Sequence, residues 1–171
     1  MKRSRRGGFT LVEILIVVVI MGILASIVIP QFAQSSDDAR YSSTIQNLQT
    51  LRSQIDLYRN QHENKYPGDV SNDGIFEKQM TLPTDETGTT STATDQGFGD
   101  PKFPYGPYIT NRLPANPFNG SRKVHTVDQF GTAPTVPPAA DDPGWIYEIK
   151  SGRIKINKDG QTPDGQDFWA L

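Results

Sequence analysis

The chain has 171 residues, a formal net charge of −2 and no cysteine, which excludes disulfide frameworks, thiolate zinc sites and cysteine nucleophiles. Its apolar share is 35%, low for an enzyme with a large core, and much of it is concentrated near the N-terminus. With 17 basic and 19 acidic side chains no large basic surface forms, so no nucleic-acid partner is expected.

Lys2, Arg3, Arg5 and Arg6 precede an apolar run at residues 9–29 whose one charge is Glu13. A helix of that length spans roughly 31 Å, close to the hydrocarbon thickness of a bilayer. The β-branched cluster Val17, Val18, Val19 and Ile20 is compatible with a helix there, because in lipid the backbone must bond internally. The basic flank predicts a cytoplasmic N-terminus, with the bulk of the chain on the other side. An ordinary secretory signal has a shorter apolar stretch, and Ile27-Val28-Ile29-Pro30 offers no small-residue cleavage site.

Glu13 is the unusual residue of the run. A carboxylate facing lipid costs roughly 2–4 kcal/mol, and snorkelling from the first turn is the plain explanation for its presence. The alternative is a cation supplied in an assembly. A cut after Gly8 would leave an amine on Phe9, one helical turn from Glu13. The amine of a neighbouring copy could then meet this carboxylate and set the register between subunits.

These residues carry a family resemblance. Arg6-Gly7-Gly8-Phe9-Thr10-Leu11-Val12-Glu13-Ile14-Leu15 resembles the processing site of type IV pilins and type II secretion pseudopilins. The resemblance implies cleavage after Gly8 by a prepilin peptidase, N-methylation of Phe9, and a role for Glu13 in membrane extraction and subunit pairing. Pro30 also matches the family, where a proline at the end of the apolar segment loosens the helix.

Residues 31–66 contain neither glycine nor proline. Tyr41, Ile45, Leu48, Leu51, Ile55 and Tyr58 recur at spacings of three and four, the stripe of an amphipathic helix. The predicted helix continues from the membrane segment to Tyr66, with Pro30 as its weak point, where a kink or local melting is expected.

Residues 67–171 are rich in proline and glycine, which predicts short strands and long loops. Segment 85–99, dominated by Thr, Ser and Gly, reads as a mobile loop, and segment 131–144, with Pro134, Pro137, Pro138 and Pro143, as an extended one. The clearest strands are the alternating residues 145–150 and 153–156, joined at Ser151-Gly152 as a two-residue hairpin turn. Counting from that turn pairs Ile149 with Ile154, Glu148 with Lys155 and Tyr147 with Ile156. Residues 123–127 are a third strand. The expected fold is α+β and type IV pilin-like, a long N-terminal helix packed on a small antiparallel sheet with long loops.

A second resemblance extends along the head. Gly106-Pro107-Tyr108-Ile109 followed by Leu113-Pro114-Ala115-Asn116-Pro117-Phe118 looks like a segment of major pseudopilins, as does Asp56-Leu57-Tyr58 with Lys65-Tyr66-Pro67. The lack of cysteine fits these better than pilins whose C-terminal loop is closed by a disulfide. The implied organisation is a leader at 1–8, a membrane and filament-core helix at 9–30, an amphipathic helix at 31–66 and a head at 67–171.

Membership would make the chain a structural subunit of a periplasmic pseudopilus for type II secretion, held before assembly in the inner membrane. Its implied partners are prepilin peptidase, identical subunits, minor pseudopilins and an inner-membrane platform with a cytoplasmic ATPase. The alternatives are a type IV pilus subunit for adhesion, motility or DNA uptake, and an anchored periplasmic binding module that does not polymerise.

The resemblance also raises calcium, which major pseudopilins often bind in a C-terminal acidic loop. Here that loop carries Asp159, Asp164 and Asp167 beside Lys158, and its plain reading is a solvated acidic tail. Asp69-Val70-Ser71-Asn72-Asp73-Gly74 resembles the start of a calcium loop, but Met80 stands where the bidentate acid belongs. Glu77 is a weak substitute, no second helix is foreseen, and a turn is the plainer reading. His62, on the long helix, and His125, on a strand, lack a nucleophile and orienting acid nearby in the sequence, so no enzymatic activity is expected.

Overall fold

The computed structural model describes residues 8–69, 71–92, 99–131 and 142–171. The chain divides into two compact units, Met1–Ala39 and Arg40–Leu171, and helix α1 (Leu11–Gln61) contributes to both.

In the first unit α1 carries the apolar run, and among the described residues of the unit no side chain is buried. Leu11 is 82% exposed, Ile20 51% and Ile29 68%. The helix is long and apolar enough to cross a membrane. Pro30 lies inside α1, which continues through it without melting. Proline brings no N–H, so the carbonyl of Ser26 loses its usual intrahelical donor. The Ser26 hydroxyl itself donates to the Ile23 carbonyl at 2.7 Å.

The second unit is built around the remainder of α1. Leu48, Leu51, Ile55 and Tyr58, one helical face, are all buried, as their spacing predicts. They share a core with Phe76 and Met80 from helix α2 (Asp73–Thr81), Val124 from strand β1 (Val124–Val127), Trp145 and Tyr147 from β2 (Trp145–Glu148), and Ile154 and Ile156 from β3 (Arg153–Ile156). Helix α2 packs beside β1, and the Phe76 and Tyr147 rings lie 4.5 Å apart.

The helix stops at Gln61, short of the expected Tyr66. Glu63 and Asn64 adopt positive φ angles of 53° and 62°, and the Asn64 N–H turns back to the Arg59 carbonyl at 3.0 Å. This left-handed turn satisfies a terminal carbonyl and ends the helix before Pro67 can act. Helix α2 was not foreseen. Asn72 caps it by accepting from the Gly74 N–H at 3.0 Å, and Met80 lies fully buried on its inner face.

The sheet is mixed rather than wholly antiparallel, in the order β1-β2-β3. β2 and β3 form the expected antiparallel hairpin, whereas β1 runs parallel to β2. A parallel neighbour needs a connection of roughly a dozen residues or more, and residues 128–144 are long enough to supply it. The hairpin register also differs from expectation, because Tyr147 pairs with Ile154 and Glu148 with Arg153. The connection is residues 149–152, closed by the Gly152 N–H on the Glu148 carbonyl at 2.9 Å. Gly152 has a φ of 69°, and a Cβ there would lie 2.1 Å from the Tyr66 ring, so position and conformation both require glycine.

A register offset of two keeps every side chain on its predicted face. Trp145, Tyr147, Ile154 and Ile156 therefore still point into the core. What changes is the partner of Glu148, which meets Arg153 at 3.0 Å instead of Lys155.

The segment expected to be a mobile loop is pinned in its first half. Asp85 Oδ1 accepts from the Thr87 N–H, Thr87 hydroxyl and Thr89 N–H at 2.9, 2.7 and 2.9 Å. Residues 93–98 and most of segment 131–144 lie outside the described residues, as do residues 1–7 of the expected leader.

Candidate functional site: the helix start and the C-terminal loop

Gly8 and Phe9 precede the first turn of α1 in non-helical backbone. Phe9 is 85% exposed, and a Cβ built on Gly8 would meet nothing within 4 Å. Both residues that flank the peptide bond between them are therefore uncovered.

Thr10 and Glu13 close the helix start as a reciprocal pair. Glu13 Oε2 accepts from the Thr10 N–H at 2.7 Å and the Thr10 hydroxyl at 2.8 Å, while the Glu13 N–H donates to Thr10 Oγ1 at 3.2 Å. This is a capping box, which satisfies amides that have no intrahelical acceptor. It was legible in Thr10-Leu11-Val12-Glu13, a Thr-x-x-Glu placed just before an apolar run, yet reasoning from charge alone missed it. The box gives Glu13 a local role within its own chain.

The three C-terminal aspartates are engaged separately. Asp159 Oδ1 takes the Lys158 ammonium at 2.7 Å. Asp164 Oδ1 accepts from the Thr162 hydroxyl at 2.5 Å and Oδ2 from the Tyr41 hydroxyl at 3.3 Å. The Thr162 bond, helped by Tyr41, holds the Asp164 carboxyl below its ordinary range. Asp167 Oδ1 caps a 3₁₀ turn at Phe168–Ala170 by accepting from the Trp169 N–H at 2.8 Å.

Among the described residues no three acidic, histidine or cysteine side chains come together as a set able to hold a metal ion. Calcium requires six to eight converging oxygens, and an ammonium already occupies Oδ1 and the carbonyl oxygen of Asp159. The loop's donors do not fit that ion. At the other candidate, Asp69 Oδ1 accepts from the Ser71 N–H and hydroxyl, both at 2.8 Å, and α2 begins at Asp73, so the stretch forms a turn and helix start.

The remaining polar groups of note are structural. His62, just past the end of α1, is buried with Nδ1 2.8 Å from the Tyr58 carbonyl and Nε2 3.0 Å from Thr84 Oγ1. Glu148 is buried on the outer face of the sheet, where it accepts from the Ser151 hydroxyl, the Phe130 N–H at 2.9 Å and Arg153 at 3.0 Å. Those donors outweigh burial and pull its carboxyl from 4.5 down to about 2.

The helix start also falls within a recognised motif. Residues 3–29 match the family described as the prokaryotic N-terminal methylation motif. Over 131 residues the chain is 31% identical to the type II secretion system core protein G of Klebsiella michiganensis, covering 77% of this chain and 81% of that protein. The chain belongs to the type II secretion system core protein G family. The protein of that name from Dickeya chrysanthemi is 29% identical over 154 residues, 86% of this chain and 90% of its own length. That of Pectobacterium carotovorum subsp. carotovorum is 30% identical over 128 residues, 74% and 71% of the two chains. No solved structure matches the chain.

Membership favours the secretion reading over the surface-pilus alternative. It also suits the division of the molecule, in which one region is unburied and apolar while the core-forming residues lie beyond residue 40. Of the site positions singled out in the sequence, Pro30 lies within α1 and the others fall in two places. Gly8, Phe9 and Glu13 gather at the helix start, and Asp159, Asp164 and Asp167 share the C-terminal loop without converging on one point.

Proposed function

We propose that this chain is a structural, non-enzymatic subunit, made as an inner-membrane precursor, cut between Gly8 and Phe9 by prepilin peptidase and N-methylated on Phe9. Identical copies then assemble into a periplasmic pseudopilus that serves type II secretion, together with minor pseudopilins and a platform driven by a cytoplasmic ATPase. The observation that carries the reading is an uncovered apolar helix whose start lies in the methylation motif and ends in an accessible Gly8–Phe9 bond.

The exposed apolar surface must be covered by lipid or by other copies. Leaving lipid gives no hydrophobic gain, since acyl chains are as apolar as the helix, so packing and polar pairing favour the filament. Extraction therefore needs external work, which the ATPase supplies. Pairing of a neighbour's Phe9 amine with Glu13 removes a charge cost that both groups would carry separately in an apolar filament core. Pro30, with one backbone bond missing beside it, lets the helix adjust as subunits pack.

Cleavage removes four of the 17 basic side chains and takes the formal side-chain charge to −6. The test is mass spectrometry of the mature protein expressed with its peptidase. The expected N-terminal peptide begins at Phe9 and carries one added methyl group. Recovery of intact Met1, or a cut elsewhere, would remove the basis of the proposal.

A further inference from the structure

The C-terminal loop is held from within by a cation of the chain itself. Lys158 donates to the Asp159 carbonyl at 2.6 Å and to Asp159 Oδ1 at 2.7 Å. Only 21% of the Lys158 side chain and 20% of the Asp159 side chain are exposed. The ammonium also lies 5.4 Å from the centres of both the Phe118 and Phe168 rings, within cation–π range. Those rings meet edge-on at 5.1 Å, and Phe168 is part of the buried core.

Backbone bonds complete the loop around this point. Gly160, at a φ of 78°, turns the chain straight after Asp159, and its carbonyl accepts from the Phe168 N–H at 3.1 Å. The Thr162 N–H donates to the Gln166 carbonyl at 2.7 Å, and the Gln166 N–H to Thr162 Oγ1 at 3.0 Å. A bound metal in such a loop gathers carboxylate and carbonyl oxygens around a positive charge. Here the ammonium gathers one of each, with the rings of Phe118 and Phe168, which offer no oxygen ligand, within cation–π range.

We infer that the Lys158 ammonium is the resident cation of the C-terminal loop, filling the role for which the family resemblance implied calcium, so the order of this loop does not depend on metal. The inference is independent of processing and assembly, because its groups lie within the head.

Amide hydrogen exchange of the full chain in detergent micelles, read over residues 157–168, tests it. Excess EGTA and 1 mM CaCl₂ as the probe (about 1 mM, the weak end of calcium-site affinities) should each leave the wild-type exchange rates unchanged. Lys158→Met, which keeps the aliphatic stem on the rings but loses the charge, should accelerate exchange in the loop about tenfold. Asp159→Asn keeps the carbonyl acceptor and should give a smaller acceleration, with the same indifference to chelator. It also provides a reading if Lys158→Met fails to fold. Faster wild-type exchange in EGTA, slower exchange in calcium, or unchanged exchange in both variants would overturn the inference.

Discussion

The two units of this chain use apolar residues in opposite ways. Around Ile20 the side chains are long, aliphatic and uncovered, whereas Leu51, on the same helix, is fully buried. The difference lies in what surrounds the helix. Past residue 40 its buried apolar residues form one stripe that shares a core with α2 and the sheet, while the other face is polar apart from the exposed Leu57. Before residue 30 they surround the axis, which no single packed face could satisfy. One region is therefore specified by its own sheet and loops, and the other by an environment outside the subunit.

The largest expected effect comes from breaking the packed region. Leu51→Ala removes Cγ and both Cδ atoms of a fully buried side chain from the core and should cost about 2–5 kcal/mol, seen as a lower melting temperature of the head. Membrane insertion and cleavage after Gly8 should continue, and their loss would show that the two regions are not separable. The converse change is Ile20→Asp, which adds a charge to the uncovered helix. It should oppose insertion by about 2.5–3.5 kcal/mol on an insertion assay while leaving the melting of the head unchanged.

A smaller effect sharpens the account of the head. Glu148 titrates near 2 in the folded chain, below its ordinary 4.5, so its bonds stabilise the fold above pH 4.5 and that contribution disappears as pH falls through 2. Glu148→Gln should therefore melt lower than wild type at neutral pH, with the two curves converging toward pH 2. A constant gap across that range would mean that the residue acts through packing and not through charge.

How far the sequence was readable follows the same division. Periodicity found the buried stripe of Leu48, Leu51, Ile55 and Tyr58, and alternation found the hairpin, because both signals are local. The pairing of Glu148 with Arg153 was not readable, since the Glu148 carboxylate is held partly by the N–H of Phe130, which is distant in the chain. The parallel partnership of β1 depends on the path of a long connection, which no short pattern encodes. At the N-terminus, the methylation motif that contains Gly8, Phe9 and Glu13 was legible because it is a short contiguous stretch. The role of Lys158 was not, because Phe118 reaches it only once the head has folded.

The smallest expected effect concerns Thr10. Its N–H and hydroxyl both bond Glu13 Oε2, leaving Oε1 with no bond from the described residues. In a lone subunit this holds the carboxylate at the helix start and reduces the cost of its charge in an apolar setting. A neighbour's ammonium is a stronger donor than a neutral hydroxyl, so it can engage the same carboxylate without displacing the cap completely. Thr10→Ala should thus weaken the helix start by about 1 kcal/mol, visible as faster amide exchange at residues 11–14, and Thr10→Ser should restore it. Glu13→Ala loses the same cap and the pairing charge together. Cross-linking between copies should fall modestly in Thr10→Ala and severely in Glu13→Ala, with cleavage intact in both. Equal losses would assign the whole effect to the cap and leave no separate part for pairing between subunits.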